Sequence, residues 1–358
     1  MSGRSGPHAA FDLASLAGRR RSHDLTRGFS LSHMTYPEAI VIGLFQGVTE
    51  LFPVSSLGHS VLIPALVGGS WAADLNVASS SSAYLAFIVG LHVATAIGIA
   101  VYFWRDWLRI IGAFFSSIIR RELRSADQRL AWMLVLATIP VGLAGFAGQK
   151  EFQKLFAVPV RAAIFLIING LILYAGERFR TRKSRQADTE LEQQRAAEAA
   201  DPQARPVAGH ASGQRASRLA ELAQAEASDQ RLASMSMGKA VLIGCAQILA
   251  LFAGISRDGV TMVAGMFSGL SREDAARFAF LLATPVILAA GLLKVKDLTG
   301  PLGNGIHGQI LVGSVLSGVG AYISVRFLVR YFRTRTLTPF AIYCVVVGLG
   351  SALYLHFK

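Results

Sequence analysis

A glutamine and a glutamate four residues apart, Gln46 and Glu50, share one face of a helical stretch that is otherwise apolar. A carboxylate at membrane depth costs roughly 2.5–3.5 kcal/mol, so Glu50 requires a partner, a cation or a proton. The chain continues Phe52-Pro53-Val54-Ser55-Ser56-Leu57-Gly58-His59. Pro53 interrupts one helix, and Ser55 or Ser56 can cap the next. A helix start presents unpaired backbone N–H groups, which suit a phosphate. Ser56 and His59 are three apart in that first turn and can face one ligand, as a hydroxyl nucleophile beside a proton carrier. Taken alone, the pair is equally well explained as a helix cap and a packed histidine.

A second break changes that balance. Gly254-Ile255-Ser256-Arg257-Asp258-Gly259-Val260-Thr261 sets an arginine where the first break has its serines. Guanidinium is a planar fork of donors suited to phosphate oxygens. At membrane depth it must meet an anion, which Glu50 or a bound diphosphate would supply. The structural alternative is an Arg257–Asp258 pair, but neighbours on a helix point apart, which argues against it. A hydroxyl, an imidazole, a carboxylate, a guanidinium and two helix starts together suit phosphoryl transfer, in which positioning and charge neutralisation dominate. The substrate would be a membrane lipid bearing phosphate. Nothing in the chain resembles a Walker loop.

These residues need elements to hold them, and composition says which. The chain has 358 residues, 53% hydrophobic and only 16% charged, against about 25% charged in a soluble domain. Ala83–Trp104, Leu130–Gly148, Val158–Gly176, Ile306–Val325 and Pro339–Phe357 are each near the length that crosses roughly 30 Å of hydrocarbon. Phe278–Leu293 is a shorter sixth. The net charge of +13 is gathered in the connections between blocks rather than on a nucleic-acid face, so no nucleic-acid partner is expected. Arg105–Arg129 holds six basic residues, Arg178–Arg185 five and Arg326–Arg335 four. Basic and poor connections alternate, which places the basic ones in the cytoplasm. Cys245 and Cys344 lie inside apolar segments and are expected to be buried packing residues, with no metal-ligand or disulfide spacing.

The chain also repeats itself. Shifted by 201 positions, Ala39, Ile42, Gly43, Gln46, Ser55, Gly58 and Gly68 fall on Ala240, Ile243, Gly244, Gln247, Ser256, Gly259 and Gly269. Each copy opens with two apolar stretches too short to span, around a polar break, which predicts a re-entrant hairpin. The expected fold is an all-α polytopic membrane protein of two inverted repeats, each a re-entrant helical hairpin plus three transmembrane helices. An odd number of spans makes the second hairpin enter from the opposite side, so the two tips meet near the midplane. The expected organisation is a disordered basic tail over 1–35, a first membrane repeat over 36–178, a polar cytoplasmic linker over 179–236 and a second repeat over 237–358. Within the linker, Ala216–Arg231 is expected as a surface helix.

At these residues the chain resembles the undecaprenyl-diphosphate phosphatase family, also called the bacitracin-resistance protein family. Gln46 to Glu50, running on through Phe52–His59, is similar to its first motif. Ala253-Gly254-Ile255-Ser256-Arg257-Asp258-Gly259-Val260-Thr261 resembles its second, Pro-Gly-x-Ser-Arg-Ser-x-x-Thr. Asp274–Pro285 and Thr338–Tyr343 extend the similarity. The resemblance implies hydrolysis of undecaprenyl diphosphate to the monophosphate carrier of cell-wall synthesis. It implies a divalent cation, Mg or Ca, and a site open to the outer face of the bacterial cell membrane. Carried over by position, Glu50 is a catalytic or metal-associated carboxylate, Ser56 the nucleophile and His59 its acid/base partner or rival. Arg257 becomes the phosphate clamp, with Gln46, Ser55, Ser256 and Thr261 in support. Two positions depart from the family pattern. Ala253 replaces a proline and Asp258 a serine, the latter adding negative charge where a diphosphate binds, or a ligand for the cation. The expected partners are the polyprenyl diphosphate lipid and the membrane, with a homodimer left open. The rival reading is a transporter or flippase of polyprenyl phosphate lipids, which would need the basic clamp but no nucleophile.

Overall fold

The computed structural model describes residues 34–75, 83–156, 158–198, 227–294 and 305–358. The described residues are helical, without strands. Among the described residues, six helices are long and apolar enough to cross a membrane: Ala83–Tyr102, Ala126–Gly148, Pro159–Thr181, Arg272–Leu293, His307–Thr334 and Thr338–Phe357. They match the six blocks expected from hydropathy, and the chain is a multi-pass membrane protein.

Between and around these spans lie the short elements that carry the chemistry. Helix α1 (Tyr36–Thr49) begins at Thr35, whose hydroxyl accepts from Glu38 N while Thr35 N donates to the Glu38 carboxylate at 2.7 Å. It ends four residues before Pro53, and α2 (Ser56–Val67) starts three residues after that proline. A single turn, α3 (Gly69–Asp74), precedes the first span, α4 (Ala83–Tyr102). Helices α5 (Trp104–Arg120), α6 (Ala126–Phe156) and α7 (Pro159–Glu198) follow. Helix α8 (Ala227–Ser234) meets the next segment at a bend of 94°. That segment is α9 (Met237–Ala246) with a 3-10 turn (Gln247–Leu251), after which the chain breaks and α10 (Arg257–Phe267) begins. Spans α11 (Arg272–Leu293), α12 (His307–Thr334) and α13 (Thr338–Phe357) complete the chain.

Helix packing relies on small residues. Gly43 and Gly47 of α1 lie against the α12 backbone at Gly313 and Ser317, and Gly244 of α9 lies against Ala137 of α6. Backbones approach this closely only where side chains are absent, the usual solution between membrane helices. Helix α7 packs along α13, and α4 packs along α12.

The structure corrects four sequence expectations. Arg105–Arg129 is not a plain connection, because it contains α5, with Leu108, Ile111, Phe115, Ile118 and Ile119 exposed and Ile110 and Ser117 buried. That pattern suits a helix lying along a membrane surface. The apolar span of α7 ends at Thr181, and the helix runs on to Glu198 into the expected polar linker. The linker's expected surface helix falls within the described residues only from 227 onward, and the expected basic tail lies outside them. Cys344 is buried as expected, but Cys245 is exposed. The other two concern Arg257 and His59 and belong to the site.

Helix α8 is tied down by charge. Arg277 of α11 donates to Asp229 at 2.9 Å and to Asp106 of α5 at 3.0 Å, and Arg109 also contacts both aspartates. Arg231 pairs with Asp274 at 2.8 Å, and Arg129 Nε donates to Ala233 O at 2.7 Å. The return from the linker is therefore anchored beside the basic connections.

Candidate active site

Both helix breaks are built in the same way. Ser55 caps α2, its Oγ accepting from Gly58 N at 3.2 Å, and Ser256 caps α10, its Oγ accepting from Gly259 N at 3.1 Å. The breaks also touch each other. Gly254 N donates to Ser55 Oγ at 3.2 Å, and Gly58 lies against the Gly254 backbone. Ser55 holds φ at +67°, a region that costs a non-glycine residue of order 1–3 kcal/mol and persists only where surroundings enforce it.

At this junction Glu50 gathers the polar groups. Its Oε2 accepts from Gln46 Nε2 at 2.8 Å and from the Ser56 hydroxyl, and its Oε1 accepts from Arg257 Nη2 at 3.1 Å. Gln46 and Glu50 do share a helix face, as their spacing predicts. Arg257 also donates through Nε to Asp258 Oδ1 at 3.2 Å. Neighbouring helix residues thus meet here after all. The pairing does not exclude Glu50, and one guanidinium serves both carboxylates.

These residues border a cavity of about 300 Å³. Its polar end is formed by Glu50, Ser55, Ser56, His92, Gln247, Ser256 and Arg257. Its other walls are Ile88 and Val89 of α4, Val141 of α6, Leu251 and Ile255 beside the second break, and Val286, Ile287 and Ala290 of α11. A site with a few convergent polar groups on an apolar lining is the usual form of a small-molecule pocket.

The remaining sequence candidates are placed differently. His59 does not line this cavity. Its Nδ1 faces the Ser55 carbonyl at 2.7 Å and so donates there, leaving Nε2 to accept from Tyr343 OH at 2.8 Å. Its ring stacks on Tyr343 and lies against Phe45. Both nitrogens are engaged in supporting the strained tip from behind. Thr261 donates to Arg257 O at 2.7 Å and braces the first turn of α10. Asp258 is buried away from the cavity wall, with Oδ1 on Arg257 and Oδ2 without a hydrogen-bond partner among the described residues.

Two residues at the site escaped the sequence reading. His92 of α4 lines the cavity, with Nε2 3.4 Å from Glu50 Oε2 and Nδ1 donating to Ile88 O at 2.9 Å. Asn169 of α7, fully buried, donates to Pro53 O at 2.9 Å and accepts from Ser256 N at 3.0 Å. Each is a lone polar residue inside an apolar block, and that is the signal that could have found them.

A cation has limited room here. Among the described residues no three of His, Cys, Asp and Glu stand together as a ligand set. Glu50 is the one carboxylate on the cavity wall. The residues therefore fit a cation shared with phosphate oxygens, as magnesium commonly is, rather than a protein cage.

The sequence profile of the bacitracin resistance protein BacA matches residues 39–199 and 213–350. The chain belongs to the BacA family. Among curated relatives, an undecaprenyl-diphosphatase of Mycolicibacterium paratuberculosis is 57% identical over 327 residues, covering 91% of this chain and 99% of that protein. Undecaprenyl-diphosphatase 2 of Frankia alni is 52% identical over 333 residues, covering 89% and 97%. An undecaprenyl-diphosphatase of Acidiphilium cryptum is 37% identical over 329 residues, covering 90% and 99%. This BacA chain carries both breaks inside the matched stretches, so the resemblance suggested by the two motifs extends over nearly the whole protein.

Proposed function

We propose that this protein hydrolyses undecaprenyl diphosphate to undecaprenyl phosphate and inorganic phosphate, returning the lipid carrier to cell-wall synthesis. One observation carries the reading. A hydroxyl, Ser56, donates to a buried carboxylate that is itself paired with an arginine, at the polar end of an apolar cavity.

In the proposed reaction, Arg257 and the N–H groups at the starts of α2 and α10 hold the diphosphate oxygens. Ser56 Oγ attacks the terminal phosphorus while its proton passes to Glu50, and the anhydride P–O bond breaks to release the lipid monophosphate. Glu50 hands that proton to the departing monophosphate; water then attacks the phosphoserine, giving a proton to the freed Glu50, which returns it to Ser56 Oγ as inorganic phosphate leaves. Gln46 keeps Glu50 turned toward Ser56. A divalent cation, Mg or Ca, would be held by Glu50 and the diphosphate, where it would neutralise charge on the departing phosphate. The apolar walls receive the first isoprene units.

The two halves are inverted repeats in this reading. What supports it is an exchange of partners: α1 packs on α12 as α9 packs on α6. The enzyme sits in the bacterial cell membrane with the cavity open to the outer face. Supporting that side, the first turns of α11 join the basic cluster of Arg109 and Arg231, whereas its far end, at Ala290, Gly291 and Lys294, lines the cavity.

The test is phosphate release from undecaprenyl diphosphate by purified protein in detergent, with Mg or Ca present. Release that disappears in Ser56→Ala supports the reading. A protein that binds the lipid and releases nothing with either cation would instead be a carrier.

A further inference from the structure

The two helix breaks come from segments about two hundred residues apart, yet the reaction needs Ser56 on one and Arg257 on the other in fixed register. Hydrogen bonds crossing directly between the breaks are few. Ser55 Oγ accepts from Gly254 N at 3.2 Å. Arg257 Nη2 also donates across to Glu50 Oε1 at 3.1 Å, and a further link runs through α7. Asn169 Nδ2 donates to Pro53 O at 2.9 Å, and Asn169 Oδ1 accepts from Ser256 N at 3.0 Å. One amide therefore fastens the carbonyl three residues before Ser56 and the amide immediately before Arg257.

The helix that carries this amide is itself held firmly. Ala162, Leu166, Asn169 and Leu173 recur at helical spacing along one face of α7. Leu166 N lies against Gly254, and the Leu173 side chain lies against Gly259. On another face, Gly170 and Gly348 let α7 and α13 approach backbone to backbone. Asn169 also donates to Cys344 Sγ of α13 at 3.3 Å. The α7–α13 pair forms a stiff wall, and Asn169 is the point where both breaks are attached to it.

We propose that Asn169 is a positioning residue for the phosphatase reaction, setting the register of the Ser56 hydroxyl against the Arg257 guanidinium by bonding both helix breaks at once. It touches neither substrate nor reacting atoms, and the inference rests on the function proposed above. An ångström of misplacement between reacting groups can cost about 100-fold in rate, so losing the tie lowers turnover more than binding. Asn169→Asp keeps the acceptor for Ser256 N and loses the donor to Pro53 O, and Asn169→Leu loses both.

The experiment uses full-length protein in detergent, with kcat counted per folded, monodisperse molecule. The expected result is a fall in kcat of about 10-fold for Asn169→Asp and about 100-fold for Asn169→Leu. Binding of a methylene-bridged polyprenyl diphosphonate, which cannot be hydrolysed, stays within about 3-fold, since Arg257 and both helix starts remain. Amide hydrogen exchange rises together in residues 53–58 and 254–259 while α13 keeps its protection. A merely structural asparagine would lower the folded fraction and leave kcat per folded molecule within about 3-fold of wild type; that result overturns the proposal. So does unchanged exchange in either break. A wild-type protein that releases no phosphate would defeat the enzyme reading alone, and the exchange measurement would still decide the tie.

Discussion

Arg257→Lys separates a phosphate clamp from a structural ion pair. Arg257 donates to Glu50 through Nη2 and to Asp258 through Nε, and its side chain is 13% exposed, all within one planar fork. Its remaining N–H groups are free to serve the diphosphate. Lysine keeps the positive charge but concentrates its donors at one point, so it cannot hold two carboxylates and a phosphate in the same plane. A hydrogen bond to a charged group contributes about 1.5–3 kcal/mol. If that bond is made chiefly in the transition state, its loss lowers kcat/KM by about 10- to 150-fold. Stability should change little, because Glu50 and Asp258 keep a counter-charge. Alanine is the poorer probe, since it strands two buried carboxylates at a cost of about 3–5 kcal/mol and confounds activity with folding. Phosphate release from undecaprenyl diphosphate over a range of lipid concentrations gives kcat and KM separately. A lysine variant within about 3-fold of wild type in kcat/KM would refute the clamp and leave Arg257 as a counter-ion for Glu50 and Asp258.

Quenching the reaction in neutral denaturant should trap a phosphoserine on wild type, stable to later acid, and nothing on Ser56→Ala; an adduct retained in Ser56→Ala that survives alkali and is lost in acid would move the nucleophile to His59. His92→Leu should lower kcat by about 10-fold or more with KM little changed, as expected when a group that steadies Glu50 beside Ser56 is removed. His92→Gln, which can still donate to Glu50, should recover most of that loss in the same assay, and a glutamine variant as poor as leucine would show that orientation is not what His92 supplies.

How much of this was legible in the sequence follows from the range of the interactions involved. The spans were legible because membrane insertion acts on each segment by itself, and runs such as Ala83–Tyr102 and Thr338–Phe357 are continuous in hydropathy. The polar breaks were legible because Pro53, Ser55, Gly254 and Ser256 act on their own few residues. Helix α5 was missed because a basic connection and an amphipathic helix have the same composition, and only the spacing of Ile110, Phe114 and Ser117 separates them. The shared cavity position of Ser56 and His59 was overestimated for a related reason. Spacing puts both in the first turn of α2, but it cannot say that Tyr343, 284 residues away, draws His59 to the far side. Asn169 and His92 depend entirely on such distant partners, at Pro53, Ser256 and Glu50.

The same distances explain why the site needs so few charges. A diphosphate entering an apolar cavity brings several negative charges, and the wall already holds one carboxylate. Arg257 and His92 face Glu50 from different helices, so that carboxylate has partners on two sides before substrate arrives. The helix starts then supply oriented dipoles that cost no reorganisation when charge shifts toward the leaving oxygen. Asp258 fits this arrangement only because it is turned off the cavity and takes its own share of the guanidinium. An aspartate at this position is therefore compatible with anion binding as long as the Arg257 fork can serve two carboxylates and a phosphate, which is the property that lysine lacks.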